Sequence, residues 1–135
     1  MLVVSSFSGC ESKAPNNLDN MELCKKWKLV AFVNESDGTN IPPQPNSPNN
    51  YWIEFNADNT LTGVSSTNDL SGGYQVITLD NQNLNIDIHA MTEINELGYG
   101  NLFIDNLNNV YKFSVTETVL KLFYSENDYL LFNVY

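Results

Sequence analysis

Alternation of apolar and polar residues runs through most of this chain and restricts it to a sheet with one buried face. Leu84, Ile86 and Ile88 alternate with Asn85, Asp87 and His89, a period of two that places the first set on one side of a strand and the second on the other. The same period joins Trp27, Leu29, Ala31 and Val33, and then Tyr51, Ile53 and Phe55. Near the end, Tyr111, Phe113 and Val115, then Leu120, Leu122 and Tyr124, then Leu130, Phe132 and Val134 read as a meander with turns near 116–118 and 126–128. With segments 60–65 and 73–79 this makes about eight strands. Residues 97–109 are the exception, because Tyr99, Phe103, Leu107 and Val110 recur at helical intervals. The pattern predicts an α+β, mostly β domain: about eight antiparallel strands curl into a partial barrel, with one inserted helix closing a side.

A length of 135 residues with 42% hydrophobic residues provides for one domain and one core. The formal net charge is −10, and all six basic residues are lysines. Without arginine the chain lacks the bidentate fork used for phosphate and guanine, and the acidic balance repels nucleic acid and anionic lipid alike. Asparagine is abundant in turns such as Asn49-Asn50 and Asn108-Asn109, where its tolerance of left-handed conformations suits it. Segment 35–50 is the longest irregular stretch and holds Pro42, Pro43, Pro45 and Pro48. It exceeds the roughly 12–15 residues beyond which a loop is usually functional or disordered.

The N-terminal stretch reads as an address. Leu2-Val3-Val4, then Ser8-Gly9-Cys10, resembles the end of a bacterial lipoprotein signal, and the polar segment from Glu11 would be a tether. The apolar run is far short of the ~20 residues of a spanning helix, and it lacks the basic start of a complete signal. The expected organisation is a partial lipoprotein signal at 1–9, a lipidated Cys10 and tether at 10–22, and a domain at 23–135. The expected location is the bacterial cell envelope, lipid-anchored on the periplasmic or outer-membrane surface. Lipid on Cys10 and a Cys10–Cys24 disulfide exclude one another.

Segment 63–74 interrupts the alternation with Gly63, Asn68, Gly72, Gly73 and Tyr74 and reads as a shaped connection between strands, its glycines supplying positive φ. Gly63, Asn68, Ser71-Gly72 and Tyr74 resemble the signature of the META domain family of small bacterial envelope proteins. Leu23, Trp27-Lys28-Leu29, Ile53 to Asn56, Leu84-Asn85-Ile86 and Leu120-Lys121-Leu122 fall in register with it. The resemblance implies the same partial barrel and gives Gly63, Asn68, Gly72 and Tyr74 a structural role. Ser66 and Thr67 stand where many members carry Gly-Cys, which removes a disulfide sometimes built there.

Side chains suited to chemistry are sparse. His89 is the sole histidine and is expected to be solvated beside Asp87. Glu93, Glu96 and Asp58 are read as solvated charges. No metal-ligand spacing, phosphate loop or nucleophile elbow occurs, so no catalytic residue, metal or cofactor is expected. The remaining features are interaction candidates: Pro42, Pro43, Pro45 and Trp52, the last on the strand face opposite Tyr51, Ile53 and Phe55. The expectation is a non-enzymatic, monomeric domain that binds another envelope protein. The alternative is a lipocalin-like carrier whose interior, around Phe55, Tyr74, Ile86 and Phe113, would hold a small apolar ligand.

Overall fold

A computed structural model describes residues 22–78 and 82–135. Nine strands occur in it: β1 Lys26–Asn34, β2 Thr39–Ile41, β3 Trp52–Phe55, β4 Thr60–Val64, β5 Asp69–Thr78, β6 Asn83–Met91, β7 Lys112–Val115, β8 Val119–Phe123 and β9 Asp128–Val134. All pair antiparallel in one sheet of order β2-β1-β3-β4-β5-β6-β7-β8-β9, and β1 also pairs with β9. Eight strands therefore curl into a ring, with β2 added at the C-terminal half of β1. The mostly β architecture read from the sequence is the one observed. The added strand β2 lies inside the segment read as irregular, where its three residues show no usable alternation.

The face assignments follow the period of two through most of the sheet and break at its C-terminal strands and in β1: Tyr111 and Val134, expected inside, are 43% and 41% exposed, and Phe123 and Tyr129, on the alternate positions, are buried. Trp27 and Leu29 point inward, but the register with β9 shifts between Leu29 and Ala31. Such a bulge places one extra residue on a strand and re-aims the side chains beyond it. Phe32, which the alternation puts outside, is buried, and Val33, expected inside, is half-buried.

The helix α1, Gly100–Leu107, is shorter than the 97–109 segment that predicts it. Its buried face carries Phe103, Ile104 and Leu107. Phe103 stands edge-on to Tyr51 at 5.4 Å and tilted against Phe132 at 6.3 Å. A buried side chain of this size contributes about 1.5–3 kcal/mol, so α1 is held by what it covers more than by its own eight residues. It lies where the ring is least closed: Asn83↔Lys112 is the sole register pair between β6 and β7 among the described residues. Beyond that pair Asn108 takes the place of a neighbouring strand, its Oδ1 accepting the Ile88 N–H at 2.7 Å.

Candidate functional site

Three loops interlock beside the hairpin of β4 and β5. The turn spans residues 65–68, and Asn68, 1% exposed, is its centre. The Asn68 side-chain amide donates to the Ile94 carbonyl at 2.7 Å and to Glu96, while its oxygen accepts from Thr92 Oγ1 at 2.7 Å and the Ile94 N–H at 2.9 Å. Ser65 and Ser66 hydroxyls each donate to the Glu96 carboxylate at 2.6 Å, and Thr67 Oγ1 donates to the Asn95 carbonyl. Partial burial acts to raise the Glu96 pKa, but the bonds from Ser65, Ser66 and Asn68 outweigh it and lower it. Glu96 is thus an ionised staple with its oxygens occupied, not the solvated charge expected from sequence.

Gly63 and Gly72 serve this region differently from the expectation. Both lie inside strands, in β4 and β5, and neither has a positive φ. A Cβ on Gly63 would overlap the Trp52 carbonyl, and one on Gly72 the Asp87 carbonyl. They are needed because adjacent backbones approach closely. Tyr74 points into the core, edge-on to Phe55 at 4.9 Å, with its hydroxyl donating to the Asn56 carbonyl at 2.8 Å. Burial, with Asp58 nearby, pushes its pKa up to about 12. Phe55, Tyr74, Ile86 and Phe113, expected to line a carrier's chamber, are all buried within one packed hydrophobic cluster.

The proline segment is held by specific bonds. Lys28 Nζ donates to the Ser47 carbonyl at 2.6 Å and to the Asn50 carbonyl. Asn50 Nδ2 donates to the Pro45 carbonyl at 2.9 Å, and the Gln44 carbonyl accepts from Tyr51 Oη at 2.6 Å and the Tyr99 N–H at 2.8 Å. Pro42 and Pro45 are exposed, whereas Pro43 is buried and presents nothing to a partner.

Trp52 lies on the outer face of β3 and is half-buried. Lys26 Nζ sits 3.9 Å over its ring and 4.7 Å from that of Tyr135, and the two rings meet at 6.3 Å. Tyr135 is 50% exposed and donates to the Pro48 carbonyl. Sequence reading finds Trp52 but not its neighbours, because they come together only when the last strand closes on the first. Lys26 and Tyr135 carry no local signal of that pairing. His89 is exposed, its Nδ1 3.5 Å from Asp87. No group of three or more His, Cys, Asp or Glu suited to a metal ion occurs among the described residues. Cys24 is disulfide-bonded, with its sulfur 3.6 Å from the Tyr74 hydroxyl. Cys10, expected to carry lipid, lies outside the described residues.

No family model matches this chain, and no curated protein does. Its fold is that of two solved structures. One is the crystal structure of a DUF4847 family protein from Bacteroides vulgatus, 21% identical, with a TM-score of 0.67 over 86% of this chain and 96% of that one. The other is the NMR structure of a protein from Burkholderia xenovorans, 16% identical, with a TM-score of 0.67 over 98% of this chain and 99% of that one. At these identities the likeness shows the fold alone. It corrects the META resemblance: a structural neighbour belongs to the DUF4847 family, and no family model supports META. The residues that suggested META serve this sheet's own packing: Gly63 and Gly72 at close strand approaches, Asn68 at the centre of a turn and Tyr74 against Phe55.

Proposed function

We propose that this chain is a non-enzymatic domain of the bacterial cell envelope that binds another protein through Trp52, Lys26, Tyr135 and the exposed part of loop 42–50. The observation that carries the reading is the Trp52–Lys26–Tyr135 stack on the outer face of the sheet. Tryptophan and tyrosine dominate the energetics of protein interfaces when a partner completes their burial. The adjoining loop is already tied down by Lys28, Asn50 and Tyr51, so little conformational freedom remains to be lost on binding. The envelope assignment rests on Ser8-Gly9-Cys10 and on the disulfide-bonded state of Cys24. Lipid on Cys10 and a bridge from Cys10 to Cys24 are alternatives, and both belong to an exported protein.

The test is capture by the native domain from detergent extracts of the source organism's envelope, with Trp52→Ala beside it. Loss of an aromatic anchor should weaken capture of a specific protein by roughly tenfold or more while the melting temperature stays within a few degrees. Equal capture by both forms removes this surface from the proposal. Intact mass of the protein isolated from its own cells distinguishes the two fates of Cys10, and a fully reduced, unlipidated chain in the cytosol overturns the envelope reading.

A further inference from the structure

β2, α1 and the start of β9 meet beside the C-terminal end of β1, away from the end where Lys28 pairs with Trp52. There a cleft of about 300 Å³ is lined by Phe32, Asn34, Ile41, Leu102, Tyr124 and the carboxylates of Asp37 and Asp128, with Val33 and Thr39 at its edge. That volume is at the lower end for sites that hold a small ligand. Its walls are of two kinds. Ile41 and Leu102 are 42% and 46% exposed and project from β2 and α1, giving apolar surface open to solvent. Asp37 and Asp128 belong to the rim, and the two loops that build it, 35–38 and 124–127, contain no lysine.

Both carboxylates are held in place. Asp128 accepts from Asn34 Nδ2 on Oδ1 and from Ser125 Oγ on Oδ2 at 2.7 Å. Asp37 accepts the Thr39 N–H at 2.8 Å and the Thr39 hydroxyl, both on Oδ1. The bonds from Thr39 lower the Asp37 pKa, which keeps it ionised at neutral pH. Lys112 and Lys121 of the adjoining strands are engaged with rings, Lys112 over Phe123 at 4.9 Å and Lys121 over Tyr129 at 5.0 Å. No cation among the described residues neutralises the cleft.

We infer that this cleft binds a primary alkylammonium group, its hydrocarbon stem against Phe32, Ile41, Leu102 and Tyr124 and its charge at Asp37 and Asp128. Neither half of the site suffices alone. An exposed ion pair contributes little in water, and a bare ammonium would gain almost nothing. A neutral chain of the same length would leave the carboxylates without their counterion. The required chemistry is shared by small free amines and by the lysine side chain of a polypeptide. The site is independent of the Trp52 surface, at the other end of β1.

Titration of the ¹⁵N-labelled domain with n-pentylammonium, n-pentanol and methylammonium tests this on unaltered protein. Saturable amide shifts at Asp37, Thr39, Leu102 and Asp128 are expected with n-pentylammonium, at an affinity at least about tenfold above either of the other two. Asp37→Asn, at an exposed turn, should weaken n-pentylammonium several-fold and leave n-pentanol unchanged. N-acetyl-lysine methylamide, run beside its norleucine counterpart, separates the sources: preferential lysine binding assigns a polypeptide, and binding of the free amine alone assigns a small ligand. Equal binding of n-pentanol and n-pentylammonium, or shifts spread away from the cleft, overturns the inference.

Discussion

Gly98 and Gly38 hold similar backbones in unlike surroundings. Both are left-handed, at φ +52° and +77°. A Cβ at Gly38 would meet nothing within 4 Å, whereas one at Gly98 would overlap the Gln44 carbonyl, a backbone atom that also accepts from Tyr51 and Tyr99. Gly38→Ala should therefore cost only left-handed strain, about 1–2 kcal/mol. Gly98→Ala should cost about 3 kcal/mol or more, because loop 42–50 must move off the core as well. Urea denaturation of the two variants checks this, and equal losses would show that Gln44 is not seated as described. The sequence marks where glycines are but not which of their two properties is used. Gly63 and Gly72 read as sources of conformational freedom and are required for lack of a side chain.

At the scale of elements, the β4–β5 hairpin shows what a sequence displays and what it hides. Asn68 stands out because the alternation breaks around it. Its partner Glu96 lies 28 positions away in a segment without periodicity, and nothing local distinguishes it from Glu93, which reads as equally solvated. Asn68→Asp makes the pairing measurable. It removes the donors to Ile94 and Glu96 and sets a second carboxylate against the first, at a cost of about 3 kcal/mol at pH 7. The pH dependence should reverse between the two proteins. In the wild type the folded-state pKa of Glu96 is depressed, so its contribution is present above the ordinary carboxylate range and is lost as pH falls through the folded value. In the variant, repulsion raises the folded pKa of the carboxyl pair, so stability is lost as pH rises and recovered on acidification. The melting temperatures of the two proteins should therefore lie closer together at pH 4 than at pH 7; a constant gap would mean that Glu96 and position 68 do not interact.

For the whole molecule, the eight ring strands are legible because each buries one face, and the order in which they close is not. Alternation reports which side of a strand is wet and is silent on which strand lies beside it. Closure of β1 on β9 brings Lys26 to Tyr135, and with the other outward lysines it has an electrostatic consequence. Lys25, Lys26, Lys112 and Lys121 sit over aromatic rings, and Lys28 donates to loop carbonyls. Among the described residues the one basic side chain beside a carboxylate is His89, its Nδ1 3.5 Å from Asp87 and both exposed. Among the described residues the lysines therefore brace rings and loops and none is paired with a carboxylate, so the net charge of −10 leaves the surface self-repelling. Raising sodium chloride from about 10 to about 150 mM shortens the Debye length from about 30 to about 8 Å, which screens repulsion between separated carboxylates and leaves the short cation–ring contacts largely intact. The melting temperature should rise by roughly 2–4 °C, the shift expected for about 1 kcal/mol in a chain of this size. A fall over that range would mean that attractive pairs dominate the surface, and the lysines would then have to be bonded to carboxylates rather than to rings.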